Sequence, residues 1–167
     1  MAVSENSPLN NPNTYGMSKL VGEFIAKFHP HSSITRFSSL YGIGMNETTF
    51  LPKIIHSALH KKKITLWGDG SRKQDYLHVA DAAELCILTG LTGKKGKVYL
   101  GANGQSYSNL EVAHIVQKCV PGCRIEYSGE NYAHSSHYNN KWTMKELNFV
   151  PKISLDEGIK EMVVNDE

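Results

Sequence analysis

Two residues near the start of the chain have the types and spacing that proton transfer requires. Tyr15 and Lys19 are four positions apart, which on a helix places both on one face, about one turn from each other. An ammonium beside a phenol lowers the pKa of the phenol from its ordinary value of about 10, so the oxygen can exchange a proton near neutral pH. An ordinary surface helix that carries both residues has the same pattern, so the rest of the chain must decide.

The residues around this pair predict an amphipathic helix. Asn11 and Pro12 form a favourable start, with asparagine as the N-cap and proline at the first helical position. Apolar residues then recur with a helical period, and Pro30 follows the predicted end. They are Leu20, Val21, Phe24, Ile25 and Phe28. Tyr15 and Lys19 belong to a second face beside this stripe, so we expect the pair at the margin of a buried surface.

The composition is that of a folded domain and excludes several classes of protein. The chain has 167 residues, 40% of them hydrophobic and 20% charged, with a formal net charge of +2. Such a small charge gives no reason to expect nucleic acid or a membrane surface as a partner. No apolar run approaches the ~20 residues of a membrane span, and residues 1–5 are not a signal peptide. Three cysteines are too few for a disulfide framework, so a cytoplasmic protein is expected.

The remaining pattern alternates short strands with helices, which predicts an α/β layer fold. Strands are predicted at 34–37, 64–67, 97–100 and 124–127, and helices at 50–60 and 80–88. Two further helices are indicated by capping boxes, Ser108 with Glu111 and Ser154 with Glu157. Residues 128–140 are polar and predict a loop.

Other motifs are better explained by structure than by chemistry. His134 and His137 have a spacing that metal ligands can have, but no cysteine or carboxylate cluster accompanies them, so no metal site is predicted. Cys119 and Cys123 bracket a Pro-Gly turn and are expected to be a buried thiol and a turn thiol. The lysines at 61–63 are expected to be solvated cations at a helix C-terminus.

Four segments in order carry a family resemblance. They are NTYGMSKLVGE (13–23), TRFSSLYGIG (35–44), LWGDGSRKQDYLHVAD (66–81) and KELNFVPKISLDEGI (145–159). Together they resemble the C-terminal half of the NAD(P)-dependent sugar-nucleotide epimerases and dehydratases, the extended short-chain dehydrogenases. The resemblance implies the C-terminal portion of a Rossmann-type parallel sheet plus a small α/β substrate-binding lobe. Within one α/β unit, residues 1–45 and about 80–105 would belong to the Rossmann portion, and about 46–79 and 106–167 to the lobe.

The resemblance also implies roles for individual residues. Tyr15 would be the acid/base at a sugar hydroxyl, and Lys19 would bind the nicotinamide ribose of NAD or NADP and lower the pKa of Tyr15. The backbone of Leu40 would lie closest to the nicotinamide. A nucleoside-diphosphate sugar would be the partner of the remaining site residues, which are Ser39, Lys53, Arg72, Lys73 and Gln74.

Departures from the family pattern leave the substrate and the activity open. The glycine-rich loop that holds the dinucleotide pyrophosphate is missing, as is the Ser/Thr that normally precedes the tyrosine. Many members have asparagine at the position of Ser39, and Arg-Asp where this chain has Gln74 and Asp75. The chain is therefore expected to be either part of an enzyme, inactive on its own, or a non-catalytic relic that binds a sugar nucleotide or a partner. A homo-oligomer, or a complex with an N-terminal half, would cover the apolar stripe of the first helix.

Overall fold

The computed structural model of the chain describes residues 2–10, 12–130 and 134–166. Within these ranges six helices alternate with seven short strands, so the predicted α/β class is confirmed. In chain order the elements are α1 (Thr14–Ala26), β1 (Ile34–Phe37), β2 (Ser39–Tyr41), α2 (Phe50–Lys61), β3 (Lys63–Trp67), β4 (Lys73–His78), α3 (Val79–Thr92), β5 (Val98–Gly101), β6 (Ser106–Ser108), α4 (Asn109–Cys119), β7 (Arg124–Ser128), α5 (Lys141–Leu147) and α6 (Leu155–Asp166).

The described strands form three small sheets, and most of their pairings are parallel. Strand β1 pairs in parallel with β5, β2 with β4, and β3 with β7, whereas β6 lies antiparallel to β4. A parallel pair needs a crossover connection, and α3 lies in the crossover between β1 and β5. The pairing of β2 with β4 aligns Ser39 with Tyr76, and it brings the segment 39–41 beside the segment that precedes α3.

Two groups of buried apolar side chains form the core. The larger group lies between α2, α4, α6 and β3, with Ile55, Leu66, Val116 and Ile159 almost fully buried. The smaller group comprises Leu77, Ala82, Leu85, Tyr99, Leu147 and Phe149. These helices therefore cover their apolar faces within the chain. Burial of each large apolar side chain contributes roughly 1.5–3 kcal/mol to stability.

Both predicted capping boxes are confirmed. The N–H of Ser108 donates to the Glu111 carboxylate at 2.6 Å, and the N–H of Glu111 donates to the Ser108 hydroxyl at 3.1 Å. The same reciprocal bonds join Ser154 and Glu157, at 2.9 and 3.3 Å. Each box satisfies N–H groups that the first turn of a helix leaves without an intrahelical acceptor.

The predicted start of α1 needs correction. The N-cap is Asn13, whose side chain accepts a hydrogen bond from the N–H of Gly16 at 2.9 Å, and the helix begins at Thr14. Pro12 therefore precedes the helix, and the predicted cap, Asn11, lies outside the described residues. The helix ends at Ala26, so Phe28 lies beyond its last turn.

Helix α5 was not predicted, because its two turns are too short to show a period. Thr143 in this helix accepts a hydrogen bond from the N–H of Leu100 at 2.7 Å, and Trp142 stacks on Tyr99 with ring centroids 5.2 Å apart. These contacts attach the helix to β5. Residues 131–133 of the predicted loop before it lie outside the described residues. None of the helices in the described ranges has the length and apolar content that a bilayer span needs.

Candidate active site

Helix α1 brings Tyr15 and Lys19 together as their spacing predicted. The Nζ atom of Lys19 lies 5.1 Å from the centroid of the Tyr15 ring, over its face. Tyr15 is 70% exposed and Lys19 is also exposed, so the phenol oxygen and the ammonium are both open to a ligand. An exposed phenol and a nearby cation are the two groups that acid/base chemistry at a hydroxyl requires.

An ion pair attaches α1 to the first strand. The guanidinium of Arg36 on β1 donates two hydrogen bonds to the carboxylate of Glu23, each 2.7 Å long. These hydrogen bonds hold the pKa of Glu23 below its ordinary value. Glu23 follows Tyr15 by about two turns of α1, and no sequence motif paired it with Arg36. The sequence signal for this ion pair is two opposite charges, one on a helix and one on the strand that follows it.

The apolar stripe of α1 is exposed in the described chain. Val21, Phe24, Ile25 and Phe28 are 51%, 63%, 62% and 75% exposed, and no residue of the helix is buried. Phe24 and Phe28 contact each other edge to face. The expectation that this stripe bounds a buried face is wrong for the described residues, because they contain no element that packs over it. The expectation that the chain leaves the stripe uncovered is confirmed.

Three of the predicted substrate residues form a hydrogen-bonded chain. The amide of Gln74 donates to the hydroxyl of Ser39 at 2.8 Å, and the guanidinium of Arg72 donates to the amide oxygen of Gln74 at 2.6 Å. The parallel pairing of β2 with β4 places Ser39 beside the strand that carries Gln74. The Nε atom of Arg72 is buried without a hydrogen-bond partner in the described residues. Arg72 therefore carries one buried donor that no described group satisfies.

The remaining predicted residues are dispersed. Leu40 lies on β2 with 39% of its surface exposed, opposite Leu77 of β4. Lys73 begins β4, and its N–H donates to the Ser135 hydroxyl at 3.0 Å. Lys53 is exposed on α2, where it lines a cleft of about 860 Å³. The described contacts include no hydrogen bond or ion pair between the α1 pair and any of these residues.

Asp75 is a site-supporting residue that the sequence analysis did not select. Its buried carboxylate accepts hydrogen bonds from the Ser38 hydroxyl at 2.8 Å and from the N–H groups of Asn103 and Gly104 at 2.8 and 2.7 Å. Burial raises the pKa of Asp75, and the three donors oppose that rise. The carboxylate thus joins β4 to the start of β2 and to the turn before β6, and it fixes Ser39 relative to Gln74.

An aromatic cluster fixes the glycine-containing segment after β2. The buried ring of Tyr41 contacts His78 edge to face, and its hydroxyl donates to the carbonyl of Ser154 at 3.1 Å. Burial raises the pKa of Tyr41 above its ordinary value. Gly42 has a φ of +148° and lies so close to Val79 that a Cβ there would be 2.7 Å from the valine Cγ1. The packing leaves no room for a larger residue at position 42.

Comparison with known proteins identifies the family. The model of the NAD dependent epimerase/dehydratase family matches residues 2–100, which is more than half of the chain. The chain belongs to this family. The resemblance inferred from the sequence motifs is therefore confirmed, and the motifs that carry Tyr15, Lys19, Ser39 and Gln74 all lie within the matched residues.

Curated relatives include both dehydratases and epimerases. A dTDP-glucose 4,6-dehydratase of Streptomyces griseus is 26% identical over 165 residues, which cover 93% of this chain and 50% of the relative. A putative UDP-glucose 4-epimerase of Methanocaldococcus jannaschii is 29% identical over 174 residues, which cover 98% of this chain and 56% of the relative. The chain spans about half the length of the curated relatives it matches.

Solved structures of the family match the fold over nearly the whole chain. The dTDP-glucose 4,6-dehydratase of Bacillus anthracis, solved in complex with NAD, is 26% identical with a TM-score of 0.84 and covers 98% of this chain and 55% of its own. The UDP-glucuronic acid 4-epimerase of Bacillus cereus, solved with UDP-glucuronic acid and NAD, has a TM-score of 0.85 and covers 99% of this chain and 56% of its own. At 20% identity the second likeness shows the fold alone.

Proposed function

We propose that this family member acts on a nucleoside-diphosphate sugar by NAD(P)-linked hydride transfer, with Tyr15 as its acid/base. The observation that carries the proposal is the exposed Tyr15 with the Lys19 ammonium against its ring. The family and the relatives named as dehydratases and epimerases support the same chemistry. The proposal covers epimerisation, dehydration and reduction of such a sugar.

The two residues of α1 divide the proton chemistry between them. A bound NAD or NADP would supply the hydride acceptor. The Tyr15 oxygen would take the proton of a sugar hydroxyl and return it later, while the Lys19 ammonium would stabilise the negative oxygen and donate to the nicotinamide ribose. General acid/base catalysis of this kind contributes typically ~10²–10⁴-fold to a rate.

The hydrogen-bonded chain of Ser39, Gln74 and Arg72 would bind the nucleotide part of the substrate. The Arg72 guanidinium supplies a cation with fixed donor directions, which suits two phosphate oxygens better than a lysine does. Gln74 holds the guanidinium and also contacts Ser39, so displacement of one side chain affects the other two. Lys73 and Lys53 would add positive charge from β4 and α2.

The described residues fit one end of the dinucleotide. Tyr15, Lys19 and the exposed edge at Leu40 suit the nicotinamide and its ribose, but the chain carries no glycine-rich loop for the pyrophosphate. We infer that polypeptide outside this sequence supplies such a loop and covers α1 and the edge of β1 that is unpaired in the described residues. A cytoplasmic location belongs to the same proposal, because the three cysteines are free.

A second candidate function is that of a binding protein. A protein that keeps the Arg72 chain but holds no dinucleotide would bind a sugar nucleotide, or a partner, without redox chemistry. The two candidates differ in whether activity appears when a dinucleotide-binding half is supplied. An open reading frame upstream of Met1 that encodes a G-x-x-G-x-x-G loop would favour the enzyme.

Calorimetry with the chain as it stands tests substrate binding. UDP-, dTDP- and GDP-sugars are titrated into the unchanged chain, into Arg72→Ala and into the matched control Arg124→Ala, an exposed arginine of β7. We expect one class of nucleotide sugar to bind weakly, Arg72→Ala to weaken it about tenfold or more, and Arg124→Ala to leave it unchanged. If both variants weakened binding of the nucleotide sugar equally, the effect would come from net charge alone, which would contradict a specific role of Arg72. Submicromolar binding of NAD by the chain alone would contradict the proposal that the loop for the pyrophosphate lies outside this sequence.

Light scattering tests the covering of α1. We expect the chain to associate, with itself or with the polypeptide that supplies the loop, because several large apolar side chains remain in water at roughly 1.5–3 kcal/mol each. Replacement of Phe24 and Phe28 by serine should release the monomer. A stable monomer of the unchanged chain, with slow amide exchange across residues 15–37, would contradict this part of the proposal.

A further inference from the structure

A cluster of possible metal ligands lies on the surface formed by α2 and α6. His56, His60 and Asp166 each offer one ligand atom, and these atoms all lie within 4.8 Å of one another. The three side chains are exposed, and all of them line the cleft of about 860 Å³. We propose that this cluster binds one divalent transition-metal ion of the zinc class.

The donor set favours such a metal over calcium or magnesium. Imidazole nitrogens suit zinc, copper and nickel, whereas calcium and magnesium prefer an all-oxygen shell. His56 and His60 are one helical turn apart on α2, with ring centroids 4.3 Å apart. Donors that share one tetrahedral zinc at ~2.0–2.1 Å lie roughly 3.3 Å apart. Small rotations of exposed side chains therefore close the observed separation.

Helix packing holds the ligands in place. On α2 the neighbouring residues Ile55 and Ala58 are buried, and on α6 Met162 and Val163 are buried in the same core. The two backbones that carry the histidines and the aspartate are thus fixed by contacts on their inner faces. Three protein ligands leave the fourth position of a tetrahedral ion to water or to an anion.

The cleft has charged side chains of its own and overlaps the proposed substrate site only at Lys53. Its other charged side chains are Glu47, Lys53 and Lys61. Tyr15, Arg72 and the residues hydrogen-bonded to Arg72 do not line it. Of the residues assigned to substrate binding, Lys53 alone lines the cleft, so metal binding can be measured without changing the acid/base pair.

Titration of the chain with Zn²⁺ alone tests the site. We expect one ion to bind per chain in calorimetry, and His56→Ala or His60→Ala to weaken binding at least tenfold. Asp166→Asn should weaken it less, because an amide oxygen is a poorer ligand than a carboxylate. The matched control is the double variant His134→Ala/His137→Ala, a second pair of exposed histidines, which should bind like the unchanged chain.

Spectroscopy with Cu²⁺ identifies the ligands directly. Electron paramagnetic resonance of the one-ion complex should show coupling to two imidazole nitrogens, falling to one in His60→Ala. Circular dichroism checks that the exposed substitutions leave the helices intact. Absence of Zn²⁺ binding, equal affinity in His60→Ala, or loss of binding in the control variant would each overturn the proposal.

Discussion

Helices α1 and α2 have nearly the same length and both carry an apolar stripe, yet they use it in opposite ways. α2 buries Leu51, Ile54, Ile55 and Ala58 against the core formed with α4 and α6. α1 buries none of its residues in the described chain, and a bidentate ion pair from Glu23 to Arg36 holds it to β1. An amphipathic pattern thus shows that a face will be covered, but it does not say by what.

This difference separates the two parts of the proposed site. Of the proposed substrate residues, Ser39 and Gln74 belong to the paired strands β2 and β4, and Arg72 directly precedes β4. The acid/base pair belongs to a helix whose apolar face has no cover in the described chain. Activity should therefore depend on what covers α1, whereas binding of the nucleotide should depend on β2 and β4.

The largest expected effect concerns the acid/base itself. In an enzyme assembled from this chain and a dinucleotide-binding half, Tyr15→Phe should lower kcat by ~10²–10⁴, because the phenol oxygen is removed and the ring is kept. The measurement is turnover of a nucleotide sugar. Tyr127→Phe, at an exposed tyrosine of β7, is the matched control and should have no effect. Near-normal turnover by Tyr15→Phe would remove this residue from the mechanism.

Core and surface truncations test the comparison of the two regions. Leu66→Ala should lower the free energy of unfolding by ~2–5 kcal/mol, because it opens a cavity in the larger core group. Phe24→Ala should change it by less than ~0.5 kcal/mol, because its side chain is exposed. Urea unfolding at low protein concentration measures both. Equal losses would mean that α1 is covered by the chain itself.

The buried carboxylate of Asp75 should give a pH-dependent effect. Its pKa is higher in the folded chain than in the unfolded chain. Between these two pKa values the folded state therefore binds more protons than the unfolded state. Its contribution to stability therefore falls as pH rises from the ordinary value of about 3.9 through the raised value. Asp75→Asn removes this titration and weakens the three hydrogen bonds, at a cost of ~1–3 kcal/mol.

Urea unfolding at a series of pH values tests this effect. The quantity compared is the difference in unfolding free energy between the unchanged chain and Asp75→Asn. The excess of the unfolding free energy of the unchanged chain over that of Asp75→Asn should decrease as pH rises from about 4 towards neutrality. A difference that stays constant with pH would contradict the assigned direction of the pKa shift.

The smallest expected effect concerns the attachment of α1. Glu23→Gln should cost ~1 kcal/mol or less, because the ion pair is only partly buried, but it should speed amide exchange throughout α1. The same loosening should appear in the unchanged chain as pH falls through the lowered pKa of Glu23. Glu126→Gln, in the exposed pair with Lys63, is the control and should leave α1 unchanged.

The sequence determined those features that depend on local pattern. The period of apolar residues predicted α2, and the β-forming residues before a glycine loop predicted the strand at Ile34–Phe37. Two capping boxes located the starts of α4 and α6. The spacing of Tyr15 and Lys19 predicted their contact, because residues four apart on a helix always share a face. The ordered motifs were enough to indicate the family.

The tertiary structure decided what depends on residues distant in the chain. Parallel pairing brought Ser39 to Gln74, and burial made Asp75 an acceptor for three donors from two other segments. Neither contact has a local signature, since the partners are separated by about thirty residues or more.

The same reason explains the cluster of His56, His60 and Asp166. The two histidines are visible in the sequence as one turn of a helix, but their third partner comes from the end of the last helix. Packing of α2 against α6 in one core brings these residues together. Local pattern therefore determines which faces a helix presents, and long-range packing determines which residues meet on them.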